Sequence, residues 1–178
     1  MKSYFLPGAL LTLAALCLAG CIDSAEPILT DAKPVFGQTF RAQLYSLNNG
    51  HAEEPALEQF NWDGKRYVST SAKPQIEPFT AFPYGPSGDF IVQTVSATPP
   101  AKAEYALLHK LADGVFLGRV IDEDDADDAT KKLCTKLDRF TCRIQTRDQL
   151  LAFAKATAAK QYQSGGLVIM LAEPQAQK

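Results

Sequence analysis

Two cysteines, Cys134 and Cys142, lie close together in a chain that contains four. Their spacing is not the Cys-x-x-Cys of a redox pair, and no further Cys or His stands at finger-like intervals to complete a zinc site. In an oxidising compartment such an even pair reads as a structural disulfide. Just before it, Asp122-Glu123-Asp124-Asp125-Ala126-Asp127-Asp128 concentrates hard oxygen donors of the kind that bind Ca²⁺. A calcium loop starting at Asp122 requires Gly at position 127 and Glu at position 133, where the chain has Asp127 and Leu133. The run reads better as a helix start, with one Asp capping and the others facing the positive end of the helix dipole. Asp122, Asp124 and Asp125 are retained as an acidic surface for a cationic partner. No metal is expected.

Aromatic residues crowd one stretch: Phe60, Trp62, Tyr67, Phe79, Phe82, Tyr84 and Phe90, interleaved with Pro74, Pro78, Pro83 and Pro86. Such residues fill a small β core or line a ligand groove. Trp62 and Tyr84 are the candidates for ligand or partner contact, because each carries a polar end. His51 and His109 are the only histidines and have no helical i, i+4 pairing. Gly85-Pro86-Ser87-Gly88-Asp89 brings its second glycine one residue too early for a nucleophile elbow, so it reads as a turn. Phosphate loops, dinucleotide fingerprints and zincin motifs are absent. With 18 Lys+Arg against 20 Asp+Glu, the chain has no basic excess to neutralise phosphates, which argues against a nucleic-acid partner. These readings point away from an enzyme and name no cofactor.

The N-terminus is more informative. Met1-Lys2-Ser3 is followed by the apolar run Tyr4 to Leu16 and then by Leu18-Ala19-Gly20-Cys21. A positive start, an apolar centre and a small-residue exit describe an export signal. The final tetrad resembles the lipobox of bacterial lipoproteins at all four positions. That resemblance implies cleavage between Gly20 and Cys21, a thioether-linked diacylglycerol on Cys21 and acylation of the new amino group. It also implies a domain facing the periplasm, and Ile22 rather than Asp after the cysteine favours the outer over the inner membrane, as in enterobacterial lipoproteins. The competing reading is an uncleaved span from Tyr4 to Ile22, which is uncharged and just long enough to cross a bilayer. Pro7-Gly8 and the cysteine at the cleavage position weigh against it.

The elements that must position these groups follow from periodicity. Residues 22–35 show little pattern and are expected to be a tether behind the lipidated cysteine. Strands are expected at Phe40 to Tyr45, on both sides of the hairpin dipeptide Asp63-Gly64, at Phe90 to Val95, at Ala101 to Leu111 and at Val115 to Ile121. The Ala, Glu and Leu content of 101–111 also suits a helix. Beyond Ile121, the spacing of Ala126, Ala129, Leu133 and Leu137 predicts a helix over Asp124 to Leu137. A short strand follows at Phe140 to Ile144. Thr146-Arg147-Asp148-Gln149 is a capping box opening a second helix, with Leu150, Phe153, Ala154, Thr157 and Ala158 as its buried stripe and Gly165-Gly166 as its end. Leu167 to Leu171 reads as a strand covered on both faces. The predicted architecture is one α+β domain, a mostly antiparallel sheet with two helices near the C-terminus. Its expected divisions are a signal peptide (1–20), a lipidated cysteine and tether (21–35), a globular domain (36–172) and a tail (173–178). The function expected is that of a lipid-anchored, non-catalytic envelope protein that binds another envelope component. A small-ligand carrier using an aromatic groove is the alternative, and a hydrolase stands last.

Overall fold

A computed structural model describes residues 21–48, 51–52, 54–96, 102–138, 141–160 and 165–172. Its elements in chain order are β1 (Cys21–Ser24), β2 (Thr39–Asn48), β3 (His51–Ala52), β4 (Ala56–Trp62), β5 (Tyr67–Ser69), β6 (Phe79–Tyr84), β7 (Asp89–Val95), β8 (Ala103–Ala112), β9 (Val115–Val120), a 3-10 turn (Glu123–Asp125), α1 (Asp128–Lys131), β10 (Thr135–Lys136), β11 (Thr141–Arg143), α2 (Arg147–Ala159) and β12 (Gly165–Ala172).

Strands β2, β4, β5, β6, β7, β8, β9 and β12 are each hydrogen-bonded to the next, and β12 returns to β2, closing an antiparallel barrel in which chain order is spatial order. The protein is therefore nearly all-β, with one substantial helix, and the α+β expectation is corrected. The cause lies in the segment read as the first helix. Asp122 accepts the Asp124 amide at 2.8 Å, and Asp127 accepts the Thr130 amide at 2.8 Å, so two caps split the run into a 3-10 turn and a single helical turn. The chain then enters β10, pairing Thr135 with Arg143 and Lys136 with Cys142. The apparent stripe does not exist in space: Ala126 is buried, whereas Ala129, Leu133 and Leu137 are exposed. Residues 101–111, open to either reading, lie mostly in β8.

Alternation along the strands divides inside from outside. Phe40, Ala42 and Leu44 of β2 point inward opposite Phe60, Glu58 and Ala56 of β4. An eight-stranded barrel is just wide enough to be filled by side chains or to hold one small ligand. Here rings fill it. Phe36, which precedes β2, packs on Phe40, Phe90, Tyr67 and Phe116 with centroids 5.2, 4.9, 5.9 and 5.9 Å away. Phe40 stacks on Phe60 at 5.0 Å, and Phe79 meets both Phe60 and Tyr67. The buried Tyr67 hydroxyl accepts the Phe36 amide at 2.8 Å and donates to the Gly37 carbonyl at 3.0 Å, fixing the segment that closes this mouth of the barrel.

A second core lies outside the barrel wall. Ile91 of β7 and Ala103, Tyr105 and Leu107 of β8 face Ile22, Cys142, Ile144, Leu150, Phe153 and Ala154. α2 begins with the expected capping box, and Leu150, Phe153, Ala154 and Thr157 are its buried face, while Ala158 is exposed. The helix ends at Lys160, and the glycines expected to end it open β12 instead. That strand is covered on its inner face by the barrel, but Met170 on the outer face is 38% exposed.

Of residues 22–35, expected to be a tether, Ile22, Ile28 and Leu29 are built into this second core, and Val35 packs against the barrel interior. β1 runs parallel to β11 and antiparallel to β8. Asp23, 2% exposed, takes a two-pronged ion pair from Arg143 at 2.9 and 3.0 Å. The Ser24 hydroxyl meets the Tyr105 hydroxyl at 2.6 Å, and Gln93 bonds both the amide and the carbonyl of Leu29 at 3.0 Å.

Candidate functional site

The structure scatters the sequence candidates. Trp62 is half-buried at the end of β4, in edge contact with Tyr67 at 5.1 Å. Tyr84 sits on the outer wall against the second core, and burial together with the neighbouring Asp89 charge pushes its phenol above the ordinary value. In the acidic run, Asp122 caps the 3-10 turn, Asp125 pairs with Arg119 at 3.2 Å and Glu123 pairs with Lys136. Burial raises the Asp122 carboxyl, and the nearby charges of Asp124 and Asp125 act in the same direction. Asp124 is exposed. The carboxylates of this run serve largely as caps and ion-pair partners. Of the aromatic segment, Phe60, Tyr67, Phe79 and Phe90 belong to the barrel interior, and Phe82 joins Tyr84 on the outside.

Cys134 and Cys142 stand at disulfide distance, with Cα atoms 5.7 Å apart, tying the turn after α1 to β11. Glu123 and these two sulfurs place donor atoms within 4.8 Å of one another, but sulfurs joined to each other are not thiolate ligands.

One polar cluster escaped sequence reading because its members come from three segments. Tyr84 pairs across the β6–β7 hairpin with Asp89, and His109 of β8 lies beside them. Asp89 accepts from the His109 Nδ1 at 3.2 Å and from the Lys110 amide at 2.8 Å, and it also bonds Ser87. Burial alone would raise its carboxyl, yet these three partners hold it below the ordinary range. An aspartate that orients a histidine is half of a proton-transfer unit. The serine bonds the aspartate across the β6–β7 turn, which is the arrangement of a locked turn. His51 is exposed in β3, away from this cluster in sequence and on another part of the sheet.

Glu58 was also unforeseen. It points into the barrel, is 3% exposed, receives the Gln75 amide at 2.6 Å on Oε1, and leaves Oε2 without a partner among the described residues. Its bond to Gln75 draws the loop after β5 over the barrel wall.

The feature with the clearest capacity to bind is the outer wall formed by β4, β2, β12 and β9. Register aligns Leu57, Gln43, Met170 and Val115 in one cross-strand row. Leu57 is 62% exposed and Met170 38%. At the Leu57 end the row opens into a cleft of about 310 Å³ lined by Arg41, Glu58, Gln59, Thr70 and Ser71. An apolar strip with a guanidinium, an amide and two hydroxyls at one end suits a polypeptide surface, which offers both apolar side chains and carbonyl acceptors. Alternation placed Gln43 and Leu57 outside in principle, but only the closure of β12 onto β2 brings Met170 beside them.

Compared with protein families, characterised proteins and solved structures, the chain matches none.

Proposed function

We propose that this protein is a lipid-anchored component of the bacterial envelope, held to the outer membrane through Cys21, whose barrel is a non-catalytic module binding another envelope protein. Ring packing in the barrel leaves the outer surface as the place for recognition. The observation that carries the reading is the cross-strand row of exposed Leu57, half-buried Gln43, exposed Met170 and half-buried Val115, with its polar cleft. Large apolar side chains aligned on a rigid sheet are a feature of protein contact surfaces. β4, which carries the Leu57 end of the row, stands four strands from β8 in either direction round the barrel, so that end is turned away from β1, the strand that begins at Cys21, whereas β9 at the other end adjoins β8. A partner would meet the Leu57 end from the periplasmic side.

The test is site-specific photo-crosslinking in the native host, with the photoreactive residue placed at Leu57 or Met170 and, as a control, at the exposed Lys155 of α2. The reading expects one protein adduct from the first two positions and none from the third. Absence of any adduct, or the same set from all three, refutes it.

A further inference from the structure

We infer that the segment 131–137, tied beside Cys21 by the disulfide, is a membrane-contact surface, with Leu137 and Leu133 seated in the lipid headgroup layer. The inference rests on the lipid-anchor reading and adds which part of the protein touches the bilayer.

The first ground is the lack of slack. β1 starts at Cys21, and the next residue, Ile22, is fully buried with its amide on the Ile121 carbonyl at 3.2 Å. Asp23 is then held by Arg143, and its carbonyl takes the Ile144 amide at 2.9 Å. Consecutive Cα atoms are about 3.8 Å apart, so the folded domain begins one residue from the proposed acylation point. Acyl chains on Cys21 thus fix the depth of its neighbours in the sheet.

The second ground is what those neighbours are. Cys21 registers with Thr141 of β11, and on the other side of that strand Leu137 donates its amide to the Thr141 carbonyl at 3.0 Å. Leu137 is therefore two strand spacings from Cys21, about 10 Å. The headgroup layer on each side of the hydrocarbon is about 5–8 Å deep, so a group at that separation lies within or beside it. Leu137 is 47% exposed and Leu133, just before the staple, 42% exposed. Both are among the most exposed large apolar side chains of the described residues, and they lie within five residues of each other. Lys131 and Lys132, both exposed, precede them, but exposed Asp124, Asp127, Asp128 and Asp138 flank the same segment, so the contact rests on the two leucines and not on charge. The staple between Cys134 and Cys142, with the bond from the Gln149 amide to the Leu133 carbonyl, holds this segment in place. Leucines that would be wasted against water are thus rigidly presented beside the lipid attachment point.

The experiment uses full-length, host-processed protein reconstituted in phosphatidylethanolamine–phosphatidylglycerol vesicles. Leu137→Trp and Leu133→Trp are each made in a Trp62→Phe background, with Leu57→Trp on the opposite barrel wall as control. Flotation reads the anchor, and quenching by lipids brominated on the upper acyl chain reads depth. The expected result is flotation of all variants, with emission reduced at least twofold at positions 133 and 137 and unchanged at position 57. Flotation without quenching at 133 and 137 overturns the inference and leaves the anchor standing. Failure to float overturns the anchor reading, and this inference with it. Should either tryptophan variant misfold, hydrogen exchange on the wild-type protein reads the same surface: exchange across 131–138 should slow at least threefold in vesicles relative to a Cys21→Ala chain made without residues 1–20, which carries neither signal nor lipid, and equal rates refute the contact.

Discussion

Arg143→Ala removes the side chain that, among the described residues, pairs with Asp23. The pair is two-pronged, with Nε to Oδ1 at 2.9 Å and Nη2 to Oδ2 at 3.0 Å, and the Asp23 side chain is 2% exposed against 32% for Arg143. Truncating one partner of a buried pair costs about 3–5 kcal/mol, since the remaining charge stays desolvated. Arg143 lies at the rim, where water can replace part of the guanidinium, so the lower end applies, about 3 kcal/mol. For a chain of this size that corresponds to a fall of roughly 6–12 °C in Tm. Arg143→Lys keeps the charge but loses the fork, and about half the loss is expected from the different geometry of an ammonium. Urea unfolding followed by Trp62 emission measures the change, with Arg66→Ala as the reference. Arg66 and Asp63 form an exposed pair at 3.6 Å, where the loss should be far smaller because solvent screens the pair. If Arg143→Ala costs no more than Arg66→Ala, β1 is not fastened to β11 in the way described, and the domain does not begin at Cys21.

Other perturbations have equally definite signs. The Thr157 hydroxyl is buried on α2 without a hydrogen-bond partner among the described residues, so Thr157→Val should raise stability by about 1 kcal/mol in the same unfolding assay; a loss would reveal a bond to that hydroxyl. Asp89 has its carboxyl held below the ordinary value in the folded state, so it contributes stability above the unfolded value of 3.8 that disappears as pH falls through the folded one. Between pH 6 and pH 2, Asp89→Asn should therefore flatten the dependence of stability on pH, and an unchanged slope contradicts the cluster around His109. Cys142→Ser opens the small loop closed with Cys134, and the chain-entropy model gives a loss of about 2.5 kcal/mol, read as a lower urea midpoint.

Local chemistry was legible in the sequence wherever a few neighbouring residues decide the geometry. Asp63-Gly64 announced its hairpin because Gly64 supplies a φ of +98° and the Asp63 carboxylate takes the amides of Lys65 and Arg66. The Thr146–Gln149 capping box did the same for α2. Barrel closure was not legible, since Val168 opposite Tyr45 is a pairing between distant segments and leaves no mark on either one. Residues 22–35 lack periodicity for a related reason: much of their order comes from side chains elsewhere, Gln93 on Leu29 and Tyr105 on Ile28 and Ser24, rather than from a continuous strand ladder. The first predicted helix failed because the acidic run supplies two caps where one was expected: Asp122 and Asp127 each cap a turn, and the second cap interrupts the helix. Of the candidate site, the outward residues of β2 and β4 could be read from alternation, but their alignment with Met170 required the closed barrel.

The account depends most directly on the state of Cys21. Intact-mass measurement of the protein purified from its own host should give a chain that starts at residue 21 and carries a diacylglycerol with a further acyl group. A chain retaining residues 1–20, or one with the Cys21 thiol unmodified, would contradict it.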